Sequence, residues 1–304
     1  MGVKGIVHMG FNYTLAEQIS RIFSSKNPEA ELASIGWVSG NDAKTIFDRI
    51  IEKNPKAVLI PQKRTILHSF IGCFLEIYLQ FQNYDYLDQC FPAEDPDFFT
   101  DHLDCLASII LEYQQEVPDY KFPMDLIIKA DKNSTPIYMQ DKEFTGPHSV
   151  HDLYSEITDS LIAQIINIQE EIENATFYLL FKDKDFLFRF NSFLRPYIQT
   201  LDKSNFDESG GIQRCQYLPQ WLRTAIMYRD NGCCQLCGKN LSGDFDSVDP
   251  FDIHFDHIIP LIKGGTNDPS NFQILCQHCN DSKGEKIFTP QYKYMLPWKM
   301  DNKR

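Results

Sequence analysis

Four cysteines near the C-terminus constrain the fold of this chain more than any other feature. They form two Cys-x-x-Cys pairs, Cys234 with Cys237 and Cys276 with Cys279, on either side of the run His254-Phe-Asp-His-Ile-Ile-Pro. One such pair is weak evidence, but two pairs can bind a single tetrahedral Zn²⁺ from two tight turns. The spacing therefore predicts a small domain stabilised by structural zinc, with free thiols or a redox pair as the alternatives.

The composition is that of an ordinary soluble protein. The chain has 304 residues, of which 43% are hydrophobic and 23% charged, and this length allows two domains. No apolar run reaches the roughly 18 residues that a membrane span requires, and the N-terminus lacks the pattern of a signal peptide. The remaining five cysteines are scattered, which fits reduced thiols. We therefore expect a cytoplasmic protein that does not enter a membrane.

Strand and helix signals alternate over the first 60 residues. Short apolar runs at residues 5–9, 32–38 and 57–60 are typical of buried strands. The capping box Thr14-x-x-Glu17 predicts a helix after the first strand, and Asp42 is expected to open another. This β-α-β-α-β order predicts an α/β N-terminal domain with a parallel sheet and crossover helices.

Three further helices are predicted before the cysteine pairs, over residues 65–79, 153–172 and 186–201. The second has an aliphatic residue every three or four positions, which indicates a core-facing stripe, or alternatively a coiled-coil seam. Between these helices, residues 83–104 are predicted to form an acidic loop, and residues 125–130 one more strand.

The Ser, Asn, Asp and paired Gly residues of positions 204–211 mark a linker. The sequence therefore predicts two domains, residues 1–210 and residues 211–304. In the second, a helix carrying Leu218, Leu222 and Ile226 is expected before the first cysteine pair.

The segment between the cysteine pairs has its own pattern. Residues 251–259 are predicted to form a strand, in which His254 and Asp256 share one face while His257 points to the other. A turn is expected at Gly264-Gly265, and a helix is expected to begin near Asn280.

The combination of CxxC, Asp-His-Ile-Ile-Pro, Gly-Gly-Thr-Asn-Asp-Pro-Ser-Asn and CxxCNxxKG resembles the HNH endonucleases, which are ββα-metal nucleases. The resemblance covers about residues 215–286 and says nothing about residues 1–210. It implies a metal-dependent endonuclease that hydrolyses DNA phosphodiester bonds and leaves 5′-phosphate and 3′-hydroxyl ends. By analogy with this family we expect a bacterial restriction or anti-phage defence effector, regulated by its N-terminal domain.

The resemblance also assigns roles to individual residues. It implies that His257 is the general base, that Asp256 and Asn280 are ligands of one catalytic ion, and that Asn271 holds the loop and helps to orient the catalytic histidine. A near-neutral imidazole can activate water, and a divalent cation can neutralise the leaving oxygen. Hard oxygen ligands suit Mg²⁺ or Mn²⁺.

Three more residues lie in or near this motif. His254 shares a face with Asp256 and is a candidate for metal or phosphate contact, although a surface role fits equally well. Lys283 is a candidate phosphate contact, or simply a solvated lysine. His278, inside the second cysteine pair, is expected at the surface.

The charge of the chain is distributed unevenly. The net charge is −13, yet residues 211–304 carry 11 basic and 10 acidic side chains, so the acidic excess lies in residues 1–210. An acidic region of this size repels a polyanion and slows its capture. Either the C-terminal domain acts through a few local contacts, or a protein partner of the acidic domain helps to deliver the DNA.

The alternative function is a non-catalytic, zinc-stapled nucleic-acid-binding or protein-interaction subunit of a larger complex.

Overall fold

The computed structural model describes residues 11–36, 43–53, 56–81, 106, 108–110, 112–113, 150–242 and 253–289. The chain divides into two compact units. One comprises Met1–Gln18, Ile35–Asn41 and Ile71–Thr176, and the other Ile19–Ser34, Asp42–Phe70 and Phe177–Arg304. The predicted boundary between residues 210 and 211 falls inside the second unit.

Helices joined by turns build the described part of residues 1–210. They are α1 (Phe11–Ser24), α2 (Pro28–Gly36), α3 (Ala43–Lys53), α4 (Ile66–Phe81), α5 (Val150–Asn167), α6 (Gln169–Lys182) and α7 (Lys184–Ile198). Across the described ranges, none of the helices combines the length and the apolar character that a membrane crossing needs.

The parallel sheet predicted for residues 1–210 is not found in their described part. Leu32 lies in helix α2 rather than in a strand, and residues 57–60 lie in turns. Pro28 begins α2, with Glu29 and Glu31 in its first turn, and these residue types favour a helix N-terminus. The predicted strands at residues 5–9 and 125–130, and the predicted acidic loop at residues 83–104, lie outside the described residues.

The predicted helices are confirmed where they are described, with changes at their ends. Helix α1 begins at Phe11, so Thr14 lies within the helix instead of capping it. The aliphatic stripe of the long predicted helix is buried at Leu161, Ile165 and Ile172, which makes it a core face. The helix itself is interrupted at Ile168, where α5 ends and α6 follows.

An aromatic cluster forms part of the core of the second unit. The ring of Phe23 in α1 lies 5.3 to 5.6 Å, between centroids, from the rings of Phe70, Phe186, Phe190 and Phe193. Edge-to-face aromatic contacts of this kind add to the stabilisation from apolar burial. The cluster joins the ends of α1 and α4 to α7.

The C-terminal part contains α8 (Gln220–Arg229), β1 (Ile253–His257), β2 (Phe272–Cys276) and α9 (Gln277–Lys283). The two strands are antiparallel, with Ile253 opposite Cys276 and His257 opposite Phe272. Pro219 precedes α8 as its N-cap residue. The order strand, strand, helix is the ββα arrangement that the resemblance to the HNH endonucleases implies.

A buried ion pair fixes α8 against β2. Arg229 Nε donates to Asp230 Oδ1 at 2.8 Å, and the guanidinium also donates to the Phe272 carbonyl. The backbone N–H of Ile274 donates to Asp230 Oδ2 at 2.9 Å. A buried pair of this kind is stable only when further hydrogen bonds satisfy its charges. Arg229 and Asp230 therefore tie the end of α8 to the β2 backbone at Phe272 and Ile274, although Nη1 of Arg229 is buried without a hydrogen-bond partner in the described part of the chain.

The predicted turn at Gly264-Gly265 is confirmed, and both glycines are required there. Gly264 has a φ of +86°. A Cβ atom at Gly265 would lie 1.9 Å from the carbonyl oxygen of Ile259. This close approach lets the connection between β1 and β2 fold back over the end of β1.

Candidate metal centre and active site

The four sulfur atoms of the cysteine pairs meet in one cluster. The Sγ atoms of Cys234, Cys237, Cys276 and Cys279 all lie within 4.8 Å of one another, and those of Cys237 and Cys276 are 3.8 Å apart. Four thiolates around one tetrahedral zinc, at the usual Zn–S distance, are about 3.8 Å apart. The donor set therefore fits a closed structural Zn²⁺ site. Cys233 is not a member, and its thiol donates to the Asn231 carbonyl instead.

The thiols of this cluster differ in acidity. Burial raises the pKa of Cys234, but backbone N–H groups of Cys237, Cys276 and Leu236 outweigh it and lower the pKa to about 7. Burial, assisted by the neighbouring sulfur atoms, raises the pKa of Cys279. Sulfur atoms packed this closely cannot all be ionised without a cation, because their charges repel. A metal ion would remove that conflict.

His257 lies at the end of β1, where it is 4% exposed. Its ring centroid is 4.5 Å from that of Phe272, and its Nε2 lies 3.2 Å from Asn267 Oδ1. Burial first, and then the charge of Arg214, lower the pKa of His257 to about 4, although Asp256 acts in the opposite direction. The imidazole is therefore neutral at neutral pH, which is the form that can accept a proton.

Asp256, next to His257 in β1, is held through one of its two oxygens. Its Oδ2 accepts from Lys283 Nζ at 2.8 Å and from Gln273 Nε2 at 3.1 Å. In the described part of the chain, Oδ1 has no hydrogen-bond partner. A fixed carboxylate with one open oxygen is a suitable ligand for Mg²⁺ or Mn²⁺.

Asn280 lies in α9, three residues before Lys283. Residues three apart share one face of a helix. Lys283 donates to the carbonyl oxygen of His257 at 2.8 Å and pairs with Asp256, so this face of α9 packs on β1. The half-buried Asn280 side chain is thus on the helix face that turns toward the Asp256 strand.

The two candidate substrate contacts have different surroundings. His254 is half-buried, and its Nε2 lies 3.2 Å from Gln277 Oε1, at the start of α9. Lys283 is only 1% exposed, because its ammonium group lies between the Asp256 carboxylate and the His257 carbonyl. Contact of either residue with phosphate stays a prediction.

Asn271 closes the connection between the strands. It is fully buried, its Oδ1 accepts from the Ile259 N–H at 2.8 Å, and its Nδ2 donates to the carbonyls of Ile259 and Thr266. The role of holding the loop, which the resemblance implies for this residue, is compatible with these bonds. The amide that contacts His257, however, is that of Asn267.

We expect Asn271→Ala to destabilise the C-terminal part by about 3 kcal/mol, because it leaves buried backbone groups without partners. Equilibrium urea unfolding followed by tryptophan fluorescence measures this, since Trp221 packs against the core there. Asn205→Ala is the control, because Asn205 is only half-buried and its hydrogen bond to the Asp202 carbonyl is exposed to solvent. Equal stability of the two variants would contradict the role given to Asn271.

Two residues near His257 were missed by the sequence reasoning. Asn267 belongs to the Gly-Gly-Thr-Asn-Asp-Pro-Ser-Asn motif. Its place in this motif, close after His257, was the sequence signal that could have identified it. Arg214 lies before the motif and is exposed, and its charge contributes to the lowered pKa of His257. No local pattern marks Arg214 as part of the site.

The C-terminal part has the features of a ββα-metal type of domain. It contains a four-cysteine cluster, a two-stranded antiparallel sheet and a following helix, and Asp256 and His257 lie at the end of the first strand. Residues 234–286 match the family model described as HNH endonuclease. The C-terminal part of the chain therefore contains an HNH endonuclease domain, which indicates nuclease activity in general and a DNA substrate. No curated protein and no solved structure matches the chain.

Proposed function

We propose that the protein is a metal-dependent HNH endonuclease that hydrolyses DNA phosphodiester bonds and leaves 5′-phosphate and 3′-hydroxyl ends. The observation that carries this proposal is the arrangement of Asp256, His257 and Asn280. The first two are adjacent at the end of β1, and the third lies on the face of α9 that packs on this strand. A domain that served only as a zinc-stapled scaffold would not need all three.

In the proposed mechanism each residue has a distinct task. His257, neutral and held by Asn267 and Phe272, accepts the proton of the attacking water. Asp256 and Asn280 would hold a Mg²⁺ or Mn²⁺ ion, which would supply positive charge to neutralise the leaving 3′-oxygen. Lys283 and Gln273 keep the Asp256 carboxylate in place through its Oδ2. The four cysteines hold structural zinc and take no part in the chemistry.

The same proposal gives residues 1–210 a controlling role in a cytoplasmic, anti-phage setting. Their acidic excess supports the binding of a trigger or a protein partner rather than of DNA itself. DNA binding by the purified chain can be compared with that of a basic nuclease at equal salt. Equally tight binding by the chain alone would remove the need for a partner.

We expect the purified protein to convert supercoiled plasmid into nicked and linear forms only when Mg²⁺ or Mn²⁺ is added. The assay begins with protein dialysed free of loosely bound divalent ions, and its zinc content is measured to show that the scaffold is intact. Added Mg²⁺ should restore cleavage, because a hard ion bound by oxygen ligands exchanges more readily than zinc bound by four thiolates. No nicking with any metal or activating partner would favour the non-catalytic binding subunit.

A further inference from the structure

The side chain of Asn267 uses all of its hydrogen-bonding groups beside the catalytic histidine. It is fully buried, and its Nδ2 donates to the carbonyl oxygens of Leu59 at 2.9 Å and Gln213 at 2.8 Å. Its Oδ1 accepts from the backbone N–H of Cys215 at 3.3 Å and lies 3.2 Å from His257 Nε2. No other orientation of this amide satisfies the same neighbours, because two carbonyls require the NH₂ group and one N–H requires the oxygen.

The fixed amide also fixes the protonation of the imidazole. An amide oxygen can only accept, so the Nε2 atom of His257 that faces it carries the hydrogen. In a neutral imidazole the other nitrogen, Nδ1, then has the free lone pair. A turn of the ring by 180° would move Nε2 away from the amide oxygen, so the contact of 3.2 Å fixes which ring edge faces Asn267. Nδ1 is thus the nitrogen left to accept a proton.

Part of this arrangement comes from the helical region of the second unit. The backbone N–H of Asn267 donates to the Val58 carbonyl at 2.9 Å, next to the Leu59 carbonyl that its side chain contacts. Both carbonyls belong to the turn of residues 56–60, between α3 and α4. The turn therefore holds Asn267 at two points, one through its backbone and one through its side chain.

We infer that Asn267 is a positioning residue for His257. With the turn of residues 56–60, it selects the Nε2–H tautomer, so that Nδ1 is the general base. This inference rests on the proposed function of His257. It gives a role to Asn267 and to the turn of residues 56–60, and the match of residues 234–286 to the HNH family assigns a role to neither. The turn itself lies outside that match.

The tautomer can be read directly from the ¹⁵N NMR shifts of the histidine side chains, assigned to His257 by its substitution. We expect the Nε2–H form in the wild type and a mixture of both forms in Asn267→Ala. The kcat for plasmid nicking should fall by about 10- to 100-fold, as for other residues that orient a functional histidine, with KM changing less than about twofold. Asn267→Asp keeps an acceptor for Nε2–H, so it should retain the wild-type tautomer and lose less kcat than alanine.

Asp268→Asn is the matched control from the same loop. Asp268 also connects the loop to the helical region, through the N–H of Ile66 at 2.7 Å, but it has no contact with His257 among the described residues. This variant should melt at a lower temperature and keep both the tautomer and kcat. An unchanged tautomer in both Asn267 variants, or equal losses of kcat in Asn267→Ala and Asp268→Asn, would overturn the inference. If the wild type does not cleave DNA, the proposed function fails, whereas the NMR result still decides the tautomer.

Discussion

Replacing His257 with alanine is expected to lower kcat for plasmid nicking by about 10²- to 10⁴-fold, which is the usual contribution of a general base. The physical reason is that His257 is neutral, buried and fixed by Asn267 and Phe272. The measurement is single-turnover cleavage of supercoiled plasmid at saturating Mg²⁺. DNA binding should change little, because the imidazole acts on water rather than on the phosphate.

His278→Ala is the control for this substitution. His278 is exposed on α9, inside the second cysteine pair, and removing it should leave the cleavage rate within about twofold of the wild type. If His257→Ala cleaves as fast as His278→Ala, the nuclease activity resides elsewhere. If both lose activity together with their zinc, the effect is on the scaffold rather than on the base.

The second large effect is expected from the zinc ligands. Cys234→Ser removes one of the four thiolates, and structural zinc contributes about 10–16 kcal/mol of apparent binding free energy in small zinc domains. We expect the variant to lose most of its zinc and the C-terminal part to lose its cooperative melting transition. Metal analysis of the purified protein and calorimetry measure the two effects. Nicking activity should disappear with them.

The neighbouring cysteine provides a closely matched control. Cys233 precedes Cys234 directly, yet its thiol bonds to the Asn231 carbonyl and lies outside the four-sulfur cluster. Cys233→Ser should therefore keep about one zinc per chain and melt within a few degrees of the wild type. Equal zinc content in the Cys233 and Cys234 variants would mean that the cluster does not bind zinc.

The C-terminal domain could be predicted well because its signals are local. The two CxxC pairs specify four ligands by spacing alone, and the Asp256-His257 dipeptide falls on a strand with clear turn residues after it. The residues predicted the first strand and a helix near Asn280, whereas the second strand was implied only by the resemblance to the HNH endonucleases, and the helix begins earlier, at Gln277. The glycine pair at the turn was also visible, since close backbone approach requires it.

The N-terminal prediction was wrong at residues 32–36 and 57–60, which were assigned to strands because they are short apolar runs. A run of four to eight apolar residues does not distinguish a strand from one face of a helix, and residues 32–36 lie in α2. The turn of residues 57–60 buries Ala57 and Val58, so it has the composition of a strand without its hydrogen bonds. Burial, rather than extended geometry, explains the apolar residues there.

The surroundings of Lys283 and Asn267 could not be predicted, because their partners are distant in the sequence. Lys283 reaches Asp256 and His257 only once α9 packs on β1. Asn267 contacts Leu59, which is 208 positions away. Contacts of this kind depend on the tertiary fold, and neither periodicity nor spacing encodes them.

The cap of α4 has a consequence for the order in which the protein is made. The N–H of Ile66, at the start of this helix, donates to the carboxylate of Asp268, which lies 202 positions later in the chain. Thr65 caps this turn locally through the N–H of His68, but the N–H of Ile66 gains the Asp268 carboxylate only after residue 268 has been synthesised. Contacts this distant close late during folding. The bonds that join Leu59 and Ile66 to residues 267 and 268 can therefore form only after the strand that carries His257 has been made.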